Sequence, residues 1–149
     1  MNKNKTSKII SIIVFILAAF GLVFLIFKNY ILADNLIGII VQILSAGLMI
    51  WARITFGVRS FHPAANTTKG KLVTNGPYRL LRHPIYDAII YFIWAGALNY
   101  LTPDAIVAVI FISICLITRM MLEERFLMTT YEEYREYCKR TYRLIPFIF

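Results

Sequence analysis

The stretch Ile85–Met121, IYDAIIYFIWAGALNYLTPDAIVAVIFISICLITRMM, holds two long apolar runs, Ile85 to Leu101 and Ala105 to Met121, parted only by Thr102-Pro103-Asp104. Each run is close to the roughly 20 residues that carry an α-helix across a hydrocarbon core about 30 Å thick. Thr is a favourable N-cap and Pro suits a helix's first turn, so the break between the runs predicts the tight turn of a helical hairpin. Two more apolar runs come before it. Ile9 to Phe27 contains no charge, and in Leu36 to Trp51 the clearly polar side chains are Gln42 and Ser45. The expected fold is all-α: an integral membrane helical bundle of about four transmembrane helices, at about 9–27, 36–51, 85–101 and 105–121.

The rest of the chain agrees with a membrane bundle. Its 149 residues suit one domain, read as 1–149, and 59% of them are hydrophobic, against roughly 45–50% in a soluble domain. The net charge of +8 raises the possibility of nucleic-acid binding, but the basic residues alternate with apolar runs instead of lining one soluble face, which excludes that class. Of the 16 Lys and Arg residues, all but Lys28 fall before the first run, in the segment 53–83 or in the tail. By the positive-inside rule these regions are cytoplasmic, with both termini on that side. The first run resembles a signal peptide, but no small-residue cleavage site follows Phe27, so it is read as a retained span.

Segment 53–83 is rich in turn formers, among them His62-Pro63 and Thr74-Asn75-Gly76-Pro77, and reads as a cytoplasmic loop. From Glu123 to Arg143 the chain is highly charged, yet Phe126, Leu127, Tyr131, Tyr134, Tyr137 and Cys138 recur at three- and four-residue spacing. That pattern predicts an amphipathic helix on the membrane surface, stopped by Pro146. Cys115 and Cys138 have neither metal-ligand nor disulfide-scaffold spacing, and His62 has no second ligand near it, so no metal is expected.

Two clusters carry possible chemistry. The first is Gly76-Pro77-Tyr78-Arg79-Leu80-Leu81-Arg82-His83-Pro84-Ile85-Tyr86, where the loop enters the third span. Pro84 belongs in the helix's first turn, whose free N–H groups favour a carboxylate or phosphate, and Arg79 and Arg82 add positive charge. The second is Glu123-Glu124, at the matching end of the fourth span. A wall of arginines opposite carboxylates suits a zwitterion such as an amino-acid moiety, and Arg140 and Arg143 in the tail are placed to fold back over it. Other charges have plainer readings: Arg53, Arg59 and Arg119 as topology anchors, Asp87 as a favourable first-turn charge, and Tyr91, Tyr100 and Tyr142 as an aromatic belt.

These motifs resemble those of the membrane methyltransferases of the isoprenylcysteine carboxyl methyltransferase and phospholipid methyltransferase group. Gly76-Pro77-Tyr78-Arg79 with Arg82-His83-Pro84-Ile85-Tyr86 is similar to that family's Gly-x-Tyr-Arg and Arg-His-Pro-x-Tyr signature, and Glu123-Glu124 to its paired glutamates. Glu132 to Tyr137 with Lys139-Arg140 and Ile145-Pro146 resembles its C-terminal segment. The resemblance implies that Gly76, Tyr78, Arg79, His83, Pro84, Tyr86, Glu123 and Glu124 bind S-adenosylmethionine at the cytoplasmic interface. It also implies that a lipophilic or small membrane-partitioning substrate enters from the membrane lipid, and that the protein is a prokaryotic member. Asp87-Ala88 departs from the family's apolar residue and glycine, and Tyr131-Glu132 from its Phe-Gly.

The acceptor atom is left open between carboxylate, amine and thiol. A carboxylate calls for a cationic anchor such as Arg82 or Arg140, and a protonated amine for a base such as Glu124. Two other classes compete: an NADPH-dependent membrane reductase of the sterol-reductase-like group, and a non-enzymatic scaffold or lipid-binding protein in which both clusters are interface anchors.

Overall fold

A computed structural model of the protein describes residues 3–57 and 72–145. Arg59, His62, Lys69, Lys71 and Pro146 lie outside these residues. Within them the chain is all-helical, with α1 at Lys3–Phe27, α2 at Leu36–Phe56, a 3-10 turn at Gly76–Arg79, α3 at Pro84–Tyr100, α4 at Pro103–Thr130 and α5 at Tyr134–Arg140. Thr6–Phe27, α2 and α4 are each long and apolar enough to cross a membrane; α3 is shorter, at 17 residues. Their outward faces keep large apolar side chains exposed, including Phe20, Ile37, Ile54 and Val107, an arrangement suited to hydrocarbon and costly in water.

The helix ends follow local chemistry. Asn35 caps α2 by accepting from Gly38 N at 2.7 Å, and Thr102 caps α4 by accepting from Ala105 N at 3.4 Å. Leu101, in the left-handed conformation at φ 53°, turns the chain between α3 and α4. The expected hairpin therefore forms where Thr102-Pro103 places it. The surface helix expected over 123–143 does not. No Pro or Gly interrupts the chain between Pro103 and Thr130, so α4 continues to Thr130 and carries Glu123 and Glu124 inside the helix. The turn into α5 is made at Tyr131 in extended conformation and Glu133 in helical conformation, so it requires no glycine. α2 likewise runs past Trp51 to Phe56 and takes Arg53 out of the expected loop.

The packing order is α1, α4, α3, α2: α1 lies along α4, α4 along α3, and α3 along α2. Leu25, Ile93, Ala97, Val109, Ile112 and Met120 belong to the shared core. Because α1 and α2 sit on opposite flanks, residues 28–35 must cross the bundle, and they cross α3 at Gly96. A Cβ there would lie 2.5 Å from Ile31 O and 2.6 Å from Tyr30 O. Buried Gln42 ties the crossing down, donating to Ile31 O at 2.6 Å and Phe92 O at 3.2 Å and accepting from Ala33 N at 3.1 Å. An amide satisfied in this way is tolerated in an apolar interior. Gly96→Val is expected to lower stability by about 1–3 kcal/mol through overpacking, read as a lower unfolding midpoint in detergent; an unchanged midpoint would mean that the chain does not cross there.

Candidate functional site

The site forms at one end of the bundle, where α3 begins and the tail returns. Gly76, at φ +56°, starts the 3-10 turn, and a side chain there would press on Thr55 Oγ1 at 2.6 Å. Glycine answers both constraints. The turn buries Tyr78 and leaves Arg79 exposed. The following residues pair with the tail: Leu81 and Tyr142 form a parallel bridge, Arg82 N donates to Tyr142 O at 2.8 Å, and Tyr142 N donates to Leu80 O at 2.9 Å. Tyr137 donates its hydroxyl to Tyr78 O at 2.7 Å, and Tyr91 donates to Leu144 O. The Tyr91 hydroxyl and the Tyr142 backbone thus hold the tail in place, so Tyr91 has a bonding role beyond its reading as part of an aromatic belt.

This clasp assembles two ion clusters around adjacent glutamates. Glu124, 3% exposed, accepts from Arg82 Nη1 at 2.9 Å and from Arg143 Nη2 at 2.8 Å and Nε at 3.0 Å. His83 Nε2 stands 3.5 Å from the same carboxylate, and Arg82 Nη2 donates to Thr141 O at 3.2 Å. Glu123 accepts from the Tyr86 hydroxyl at 2.5 Å, and Arg119 Nε lies 3.3 Å from it. Arg119 Nε also donates to the Tyr86 oxygen at 2.6 Å. His83 Nδ1 is 3.9 Å from Glu123, so the imidazole stands between the two carboxylates. Pro84 is buried in the first turn of α3 beside it.

The structure therefore brings Arg82, His83, Tyr86, Glu123 and Glu124 together, with Gly76 and Tyr78 packed against the end of α2. Arg140 is exposed at the end of α5, away from the cluster. Its place is taken by Arg143, because the chain leaves the helix at Thr141 in extended conformation and turns the later arginine inward. Arg119 is not a topology anchor: it is 2% exposed, and its guanidinium lies over the Phe15 ring at 4.7 Å and reaches Ser11 O at 3.4 Å, both on α1. The signal for it was the four-residue spacing to Glu123, which puts the pair on one helix face. Asp87 is wholly buried and is not a solvated first-turn charge.

Electrostatically, Glu124 is one carboxylate facing two guanidinium groups and an imidazole. Arg82 Nε and the Tyr134 hydroxyl are buried with no oxygen or nitrogen partner and have the Cys138 thiol beside them, while His83 Nε2 faces the Glu124 carboxylate at 3.5 Å. Burial, then the neighbouring Glu124, pushes the Tyr134 hydroxyl well above its ordinary pKa, so it stays a donor at neutral pH. Burial also raises the Cys138 thiol, which keeps it protonated and a poor nucleophile. The hydrogen bonds from Arg143 to Glu124 raise the pKa of that guanidinium further. Unspent donors around a compensated carboxylate give the site capacity for another anionic group.

Comparison with known proteins covers the same helices. The family model for phospholipid methyltransferase matches residues 33–134, from the start of α2 to the start of α5. The cobalt-zinc-cadmium resistance protein CzcN of Cupriavidus metallidurans is 35% identical over 78 residues, 50% of this chain and 35% of that protein. The match thus takes in little more than a third of that relative's length. No solved structure gives a significant match.

Proposed function

The chain belongs to the phospholipid methyltransferase family, an integral membrane protein with three apolar helices long enough to span, and on that premise we propose that it transfers a methyl group from S-adenosylmethionine to a lipophilic acceptor dissolved in the membrane. The observation that carries this reading is the convergence of Arg82, His83 and Tyr134 as buried donors around Glu124 at the start of α3. They fit the carboxylate of an amino-acid moiety, and Glu123, with its side chain 21% exposed, fits the ammonium group. Bound there, S-adenosylmethionine supplies a methyl on a positively charged sulfur, which needs no enzyme nucleophile. The chain's own part is to hold donor and acceptor in line and to keep water out.

In this reading α3 also crosses the bilayer. Its 17 residues span about 26 Å at 1.5 Å each, close to the hydrocarbon thickness, and it is bound into the hairpin with α4. Four crossings place both termini and the ion clusters on the cytoplasmic side, with Lys28 and its exposed partner Asp104 opposite, in accord with the positive-inside rule.

The test is calorimetry on detergent-purified protein. S-adenosylmethionine and its demethylated product are expected to bind at about micromolar Kd, with His83→Ala about tenfold or more weaker through loss of a charge-assisted contact while its unfolding midpoint stays near wild type. A folded wild type that binds neither compound would sink the proposal.

A further inference from the structure

Of the two arginines on Glu124, the one that the tail brings is the more exposed. Arg82 and Glu124 are nearly enclosed, whereas Arg143 keeps 31% of its side chain in contact with solvent. A long side chain partly in water loses rotamer freedom when it pairs and gains little from the pairing, so the time Arg143 spends on Glu124 depends on where its backbone is held. The chain bends over 143–145, and both neighbours of Arg143 are pinned. On one side Tyr142 is bonded through its backbone to Leu80 and Arg82. On the other, the Tyr91 hydroxyl donates to Leu144 O. The Leu144 side chain also packs on the core, but apolar packing is non-directional, whereas a hydrogen bond fixes the direction of the carbonyl. Tyr91 belongs to neither motif and stands about two turns along α3 from His83.

We propose that Tyr91 is a positioning residue for the cofactor site: its hydroxyl sets the bend that turns Arg143 onto Glu124, and through Arg143 it sets the affinity for S-adenosylmethionine. The inference rests on the methyl-transfer reading above and adds to that site a residue that does not touch it. With Arg143 in place, Glu124 faces two guanidinium groups, and Arg82, His83 and Tyr134 are left to hold the cofactor's carboxylate. With Arg143 swung into water, Arg82 and His83 face Glu124 alone, and the cofactor's carboxylate meets a negative charge that nothing else offsets.

Tyr91→Phe removes one oxygen and keeps the ring on α3. Calorimetry on the full chain in detergent is expected to show S-adenosylmethionine bound about fivefold more weakly, the size of one hydrogen bond. In Arg143→Gln protein, itself weaker than wild type, adding Tyr91→Phe should change the affinity by less than about twofold, since the route through Arg143 is gone. A merely structural role would weaken both backgrounds alike. A second reading needs no cofactor. Tyr91→Phe should lower the unfolding midpoint by about 2–4 °C in the wild-type background and by about half as much in Arg143→Gln protein, because the pinned bend supports the Arg143–Glu124 pair only where Arg143 is present. A wild type that binds S-adenosylmethionine, with Tyr91→Phe binding equally well or losing as much affinity in the Arg143→Gln background, overturns this inference alone. Equal midpoint shifts in the two backgrounds overturn it as well. A folded wild type that does not bind S-adenosylmethionine, with unequal midpoint shifts, overturns the methyl-transfer reading and leaves Tyr91 as the residue that positions Arg143.

Discussion

Glu124→Gln is expected to lower S-adenosylmethionine affinity by about a hundredfold and stability by about 3–5 kcal/mol, the cost of breaking a buried charge pair from one side. The size follows from what the carboxylate holds. It is 3% exposed and joins Arg82 from the start of α3 to Arg143 from the tail, with His83 beside them. Glutamine keeps the volume and removes the charge, so two guanidinium groups are left facing each other without an anion between them. Adding Arg143→Gln should restore part of the stability, because it removes the repulsion between the two guanidinium groups and leaves only Arg82 without its anion, but should not restore binding. Such non-additivity is what directly interacting residues show. Thermal unfolding and calorimetry on the two single variants and the double variant read both effects. A Glu124→Gln protein with wild-type stability would mean that the Arg82–Glu124–Arg143 cluster does not form.

The second large effect is at Arg119. Arg119→Met should cost about 3 kcal/mol and reduce methyl transfer by about a hundredfold, the scale of a small misplacement at a reacting centre. Its guanidinium contacts Glu123, the Tyr86 oxygen, the Phe15 ring and Ser11 O, so one side chain ties α1, α3 and α4 together. Lysine keeps the charge but lacks the planar fork, and it should rescue stability better than activity. Glu123→Gln in the Arg119→Met background should recover stability by removing the stranded carboxylate. If Arg119→Met were as active as wild type, Arg119 would be a packing residue without influence on the site.

Much of this was legible in the chain because local chemistry decides it. Asn35, Thr102-Pro103 and the uninterrupted apolar runs set helix ends through caps and missing breakers, and Arg82-His83-Pro84-Ile85-Tyr86 and Glu123-Glu124 are the two motifs that the hairpin brings together. What stayed hidden depends on neighbours distant in the sequence. A basic residue near the end of a span is also a topology signal, so Arg119 looked like an anchor until α1 was seen lying on α4. Arg140 and Arg143 are equivalent by composition, and only the end of α5 at Arg140 turns the second of them inward. Asp87 sits in a first turn, where an acidic residue is ordinarily solvated; its burial comes from packing around α3. The flanking order of α1 and α2 was illegible because nothing in residues 28–35 announces that they pass over Gly96.

The return of the tail has a consequence for how this site is completed. The family match ends at residue 134, yet Arg143, the Leu81–Tyr142 bridge and the Tyr137 bond to Tyr78 all come from beyond it. The helical frame supplies Arg82, His83 and the glutamates, and the returning tail supplies the second cation and fixes the backbone that presents them. Without the tail the same frame would hold the Glu124 carboxylate under a different charge balance, so the helices alone do not define the site.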